Sequence, residues 1–166
     1  MSPAISVIIP TCDRPEALAQ CLRALIPPPV IVREIIVCDD GSDDRTRRLI
    51  EAQFPDVRRL SGPRRGPGAN RNTAARAAAG EWFVFVDDDC IPRPGFLEAC
   101  GHAIHSVGES GGKAVFSGKT LATGGTAGSL LWEAPGYAGK GLPPSCNFAI
   151  RSDIFAKSGG FDERYR

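Results

Sequence analysis

Trp82-Phe83-Val84-Phe85-Val86 runs directly into Asp87-Asp88-Asp89. Five large apolar residues in a row, bounded by Gly80 and by Pro92, predict a buried strand. Side chains alternate along an extended chain, so Asp87 and Asp89 should point one way and Asp88 the other. Two carboxylates that converge at a strand end repel unless a cation or hydrogen-bond donors offset them. Hard oxygen ligands of this kind suit Mg²⁺ or Mn²⁺, usually held by one or two carboxylates together with a substrate's phosphates. The plainer alternative is that these acids cap or flank the helix expected from about Pro94 to His105.

Working outward, the same strand-then-polar-cluster pattern recurs. Ile5-Ser6-Val7-Ile8-Ile9 predicts a strand closed by Pro10, with Thr11-Cys12-Asp13 after it. Asp13 as N-cap, Pro15 in the first turn and Glu16 as capping-box partner predict a helix start. Leu18, Cys21, Leu22 and Leu25 give that helix an apolar stripe, and Pro27-Pro28-Pro29 ends it. A second strand from Glu34 to Cys38 enters Asp39-Asp40-Gly41-Ser42, and a helix with Leu49 and Ile50 as core residues follows. A short strand from Val57 to Leu60 and a Gly/Pro/Arg-rich loop from Ser61 to Gly68 come next. Asn70 to Ala79 is helical by propensity, with Gly80 as its C-cap. Strands alternating with helices at this spacing specify an α/β fold with a mainly parallel sheet flanked by helices.

The final third is less regular. A strand is expected around Ala114 to Ser117, then a long glycine-rich loop to Gly141, and another strand from Cys146 to Ile150. Ser152 and Asp153 should open a short helix that stops at Gly159-Gly160. Loops of that length in a compact domain are usually functional or mobile.

Composition excludes several classes. A net charge of +1 gives no reason to expect nucleic acid as a partner. No apolar stretch approaches the ~20 residues of a transmembrane helix, and no secretory signal is visible, so the expected location is cytoplasmic, with peripheral membrane association as the alternative. The six cysteines contain no Cys-x-x-Cys pair, which argues against zinc and for buried free thiols. His102 and His105 stand one helical turn apart, and a partly exposed pair is the plainer reading than a shared metal.

In a parallel sheet the three polar clusters share one edge, where ligands bind at the switch in strand order. Helix amino ends there favour an anion, and Arg71 adds a cation for phosphate. The first strand lacks the Gly-x-Gly-x-x-Gly turn of a dinucleotide-binding dehydrogenase. A P-loop is also missing. What survives is a nucleotide diphosphate bridged by a metal.

The ordered set of motifs resembles the family 2 glycosyltransferases of GT-A fold. Ile5 to Thr11 is similar to their opening strand, and Ile35 to Ser42 to their Asp-Asp-Gly-Ser signature. Gly68-Ala69-Asn70-Arg71-Asn72 with Ala79-Gly80-Glu81-Trp82 resembles the segment leading into their Asp-x-Asp strand. Phe85-Val86-Asp87-Asp88-Asp89 supplies that motif, and Gly159-Gly160-Phe161-Asp162-Glu163 resembles their Gly-Gly-Phe-Asp turn. The resemblance implies a single GT-A-like domain over 1–166, with a nucleotide-binding half (1–107) and a partial acceptor side (108–166).

Carried over, it implies that Pro10, Thr11 and Asp13 line the nucleotide pocket and that Asp40 accepts a hydrogen bond from the base, the ring N–H in uridine. Asp87 and Asp88 would reach the ribose or metal-bound water, Asp89 would bind Mg²⁺ or Mn²⁺, and Arg71 would sit near base or phosphates. Cys12 departs from the family pattern, in which an aromatic often stacks on the base, and this weakens the uracil expectation. Asp39 and Asp40 also suit an Asx-turn before a helix.

The implied reaction is inverting transfer of a sugar from a nucleotide-diphosphate donor, a UDP-sugar favoured, to a saccharide, lipid or protein acceptor. The family's general base, a carboxylate shortly after the Gly-Gly-Phe-Asp turn, has no counterpart here, and Glu133 has nothing to identify it as one. The chain therefore reads as the donor-binding portion of a longer enzyme, or as a truncated homologue that binds without turnover. Trp132, Tyr137 and Asn147 fall where the family builds its acceptor side. A haloacid-dehalogenase-type phosphatase shares the strand with Asp-x-Asp but carries it on its first strand, whereas here it comes fourth.

Overall fold

The computed structural model describes residues 3–110, 115–118, 120 and 145–164. Among them are β1 (Ile5–Thr11), α1 (Pro15–Leu25), β2 (Val32–Asp39), α2 (Arg45–Gln53), β3 (Arg58–Ser61) and α3 (Pro67–Ala77). β4 (Trp82–Phe85), α4 (Phe96–Ser110), β5 (Val115–Ser117), β6 (Phe148–Arg151) and α5 (Ser152–Ser158) follow. The strands form one sheet in the order β3-β2-β1-β4-β6-β5. β1 pairs parallel with β2 and β4, and β2 parallel with β3, as the alternating pattern predicts. β6 runs antiparallel to both β4 and β5, so the sheet is mixed at that edge.

The chain leaves β1 toward β2 and β3, then returns through α3 to β4 on the other side of β1. That reversal puts the switch point at the carboxyl ends of β1 and β4.

Both faces of the sheet are covered, and strand alternation sorts the side chains between two cores. Ile5, Val7, Ile9, Ile35, Val37 and Val84 meet Leu18 and Leu22 of α1, Ile50 of α2, and Leu97 and Ile104 of α4. Ile8, Ile36, Phe83 and Phe85 face the other way, onto Ala74 and Ala75 of α3 and Phe155 of α5. Each fully buried Ile, Leu or Phe contributes about 1.5–3 kcal/mol, so the two faces together fix the central strands firmly. The apolar stripe of α1 is buried as expected, Leu49 packs at the margin of the core, and Gly159 ends α5 in the left-handed region (φ 83°).

Three local expectations are corrected. Pro10 does not close β1, which continues to Thr11. Val86 donates its N–H to the Ile8 carbonyl, so residues 8 and 10 face β4, and β4 pairing stops at Ile8–Phe85. The missing Pro10 N–H thus falls where no partner stands, while pairing with β2 runs on. Gly80 is not a helix cap; α3 ends at Ala77 with Ala78 as its C-cap, and a Cβ on Gly80 would lie 2.5 Å from the Ser6 nitrogen. Close backbone approach explains that glycine. The thiols are free, but Cys12 is exposed rather than buried.

Candidate functional site

The ends of β1, β2 and β3 are laced together before any side chain joins. Asp40 donates its N–H to the Thr11 carbonyl (2.9 Å) and Gly62 to the Asp39 carbonyl (2.8 Å). Asn70, in the first turns of α3, donates from Nδ2 to the Cys38 carbonyl (2.8 Å) and the Thr11 carbonyl (3.3 Å). A cavity of about 530 Å³ opens above these ends. Pro10, Thr11, Asp40, Arg71 and Asp87 line it, five of the residues expected from the sequence, together with Cys12, Arg14, Arg64 and Asn70. A larger depression of about 680 Å³ adjoins it around Asp39, Asp43, Arg48 and Arg59. The smaller one sits at the switch point and carries the convergent groups.

The three aspartates after β4 each meet a cation. Arg71, buried in α3, donates to Asp87, and its guanidinium lies 5.3 Å from the centre of the Phe161 ring. Asp88 is wholly buried; it accepts from the Thr11 hydroxyl at 2.6 Å, and Arg14 Nη2 stands 2.7 Å from its other oxygen. Burial pushes the Asp88 carboxyl above the usual carboxylate range, against the Thr11 hydrogen bond and the Arg14 charge. Asp89 is exposed and accepts from the same Arg14 through Nη1 at 3.2 Å.

The expected alternation is therefore corrected: Asp88 and Asp89 share a partner, and Asp87 stands apart. β4 ends at Phe85, and Cys90 donates its N–H to the Asp87 carbonyl at 3.0 Å, turning the chain where a strand would have kept alternating.

At the end of β2, Asp39 is buried, accepts the Gly41 N–H (2.9 Å), and pairs with Arg59 (3.0 Å). That is the Asx-turn the sequence allowed. Asp40 faces the cavity and accepts the Arg64 N–H at 2.9 Å through one oxygen. A Cβ on Gly62 would lie 2.0 Å from that oxygen, so glycine lets the third strand's loop close over it.

Asp13 does not cap α1, whose N-cap is Arg14 without a side-chain bond. Its backbone is left-handed (φ 53°) and its carboxylate accepts the Ser42 N–H at 3.0 Å, tying the loop after β1 to the loop after β2. Asp13, Asp88 and Asp89 are not among the residues lining the cavity.

The Gly159–Glu163 turn is brought to the site by α3. Asn72 accepts the Phe161 N–H (2.9 Å) and donates to the Phe161 carbonyl (2.9 Å) and to Glu163 (3.0 Å). Phe161 thereby sits against both Phe85 and Arg71. Trp132, Glu133 and Tyr137 lie outside the described residues. Asn147 takes a left-handed conformation (φ 59°) just before β6.

Sequence reasoning missed Arg14 and Arg64 as site residues and the strapping roles of Asn70 and Asn72. A signal for the last two was present: two asparagines flanking an arginine in an otherwise alanine-rich helix are buried polar groups that must find partners.

A divalent cation fits this donor set in one particular way. Among the described residues no three His, Cys, Asp or Glu side chains gather as a cage. One exposed carboxylate, Asp89, beside a cavity sized for a ligand, suits an ion shared with phosphates and water.

A model of the family described as "Glycosyl transferase family 2" matches residues 6–113. The glycosyltransferase AglE of Haloferax volcanii is 28% identical over 173 residues, covering 96% of this chain and 56% of that protein. Among solved structures, S. aureus TarS 1-349 in complex with UDP superposes with a TM-score of 0.67 at 21% identity, covering 97% of this chain and 51% of the other. The mannosyltransferase PcManGT from Pyrobaculum calidifontis, in complex with GDP-Man and Mn²⁺, superposes with a TM-score of 0.68 at 24% identity, covering 98% and 48%. This chain spans about half the length, or less, of the curated relatives it matches.

Proposed function

This chain belongs to glycosyl transferase family 2, and on that premise we propose that it holds the nucleotide-diphosphate sugar, a UDP-sugar in the first instance, of a metal-dependent inverting glycosyltransferase. The observation that carries the reading is the cavity at the β1/β4 switch point, with Asp40 on one wall and Asp87, backed by Arg71, on the other. Structural neighbours in complex with UDP, and with GDP-Man and Mn²⁺, support nucleotide-sugar donors and a divalent ion.

In this reading residues 1–107 are the nucleotide-binding half and residues 108–166 contribute to the acceptor side. The Asp40 oxygen not used by Arg64 accepts the base N–H, and Pro10 and Thr11 form the floor beneath the nucleoside. Asp13 acts at one remove, by fixing the Ser42 loop. Arg71 orients Asp87 toward the ribose, Asp88 anchors the tip of β4 from below, and Asp89 would hold Mg²⁺ or Mn²⁺.

The bound ion would neutralise charge developing on the leaving diphosphate. The acceptor, a saccharide, lipid or protein hydroxyl, attacks the anomeric carbon from the opposite face. No general base is assigned: Glu163 is held by Asn72, Arg65 and Arg76, and Asp162 by Arg164, as befits a structural turn. Among the described residues no helix is long and apolar enough to cross a membrane. Family membership leaves the phosphatase reading without support.

Calorimetric titration with UDP tests the proposal. Affinity should rise when Mn²⁺ is added, and Asp89→Asn should abolish that increase while leaving metal-free binding in place. Equal affinity with and without Mn²⁺ in the parent protein would refute the metal-bridged site.

A further inference from the structure

Between them, two arginines face three carboxylates at the tip of β4, and they differ in how firmly they are held. The Arg71 side chain is 7% exposed and backed by the Phe161 ring. That of Arg14 is 52% exposed, borders the cavity, and spans Asp88 at 2.7 Å and Asp89 at 3.2 Å. Asp88, enclosed completely, accepts the Thr11 hydroxyl through one oxygen and faces Arg14 Nη2 with the other. Asp89 is the carboxylate that the proposed cation would use, and its guanidinium contact occupies the oxygen facing Arg14.

We propose that Arg14, anchored on Asp88, is an exchangeable counter-ion of Asp89 that guards this carboxylate until a diphosphate arrives, and so makes cation and nucleotide binding mutually reinforcing. The inference rests on the nucleotide-sugar reading above and deepens it. A guanidinium on Asp89 and a divalent ion on the same carboxylate repel, so the ion alone must displace Arg14 without compensation. A diphosphate entering the cavity offers Arg14 Nη1 an anionic partner in place of Asp89, while Nη2 stays on the buried Asp88. Arg14 then leaves Asp89 to the ion. Because each ligand removes the obstacle to the other, the coupling is reciprocal: UDP strengthens Mn²⁺ binding by the factor by which Mn²⁺ strengthens UDP binding.

Arg71 cannot serve in this way. Its guanidinium is enclosed by α3, Asp87 and Phe161, and withdrawing it would strand a charge in the core.

Free Mn²⁺, followed by electron paramagnetic resonance at pH 8 with and without UDP, tests the exchange without any catalytic readout. Arg14→Ala should tighten nucleotide-free Mn²⁺ binding by about fivefold and shrink the enhancement produced by UDP by a similar factor. Arg14→Lys, which keeps a charge but cannot bridge two carboxylates with a planar fork, should fall between the two and carries the test if the alanine variant does not fold. Nucleotide-free Mn²⁺ binding that is unchanged or weaker in both variants, while Asp89→Asn still loses the ion in the presence of UDP, would overturn the role of Arg14 alone. A parent protein that binds no Mn²⁺ even with UDP would overturn the metal-bridged reading and this inference with it.

Discussion

The acidic tips of β2 and β4 begin from the same chemistry and end in different work. Asp39 and Asp40 follow one central parallel strand, and Asp87, Asp88 and Asp89 follow another two places away in the sheet. At β2 the first carboxylate turns inward, folds over its own loop through the Gly41 N–H and is neutralised by Arg59 from β3. Only Asp40 is left facing the cavity. At β4 all three acids are partnered from elements distant in sequence: α3, β1 and the turn that opens α1. The comparison teaches that a strand-end aspartate has no role of its own. An internal donor makes it a turn, a buried cation makes it a wall, and an exposed cation makes it an exchangeable ligand.

The contrast breaks most visibly at Arg71. Arg71→Ala strands Asp87 beside the core and should lower unfolding free energy by about 3 kcal/mol, read from urea denaturation, and also cost UDP affinity. A loss below about 1 kcal/mol would mean that the β4 tip is no better anchored than a surface pair. Arg59→Ala removes the matching cation at β2. It should cost about 2 kcal/mol by the same measurement, yet change UDP affinity by less than about threefold, because Asp39 is turned away from the cavity.

Gly62→Ala sharpens the comparison within the β2 tip itself. Its methyl group would meet Asp40 Oδ1 at 2.0 Å and Asn70 Oδ1 at 2.3 Å, so UDP binding should weaken about tenfold in calorimetry, about 1.4 kcal/mol. Undiminished binding would remove Asp40 from the base-binding wall.

The smallest effect is expected at the opposite end of the strands, where Glu34 accepts from Ala79, Ser6 and Arg58. Burial there raises the carboxyl, but those hydrogen bonds and the Arg58 charge outweigh it and hold Glu34 below its ordinary 4.5. Its contribution is complete above that value and is lost as pH falls through the lower folded pKa. Glu34→Gln should therefore cost about 1 kcal/mol near neutrality and flatten the acid limb of a stability–pH profile. A limb as steep as the parent's would place the acid sensitivity elsewhere.

Much of this molecule is legible in its residues. The apolar runs mark β1, β2 and β4, the Leu18–Leu25 stripe marks α1, and the order of polar clusters brings Pro10, Thr11, Asp40, Arg71 and Asp87 to one cavity. The misread features share a cause. Pro10 is tolerated because of where β4 stops; Asp13 is spent on Ser42, 29 positions away; Asp88 and Asp89 meet at Arg14 across 74 and 75 positions. The antiparallel entry of β6 beside β4 likewise depends on how the chain returns after β5.

By itself the sequence determined the alternating α/β plan, the family, and the residue types that gather where strands end, because hydrophobic period and turn chemistry act over a few neighbouring residues. Only the tertiary structure decided which aspartate is buried, which is shared and which arginine is exposed. Those outcomes depend on desolvation and on distances between charges brought together by folding, and neither is encoded in local spacing.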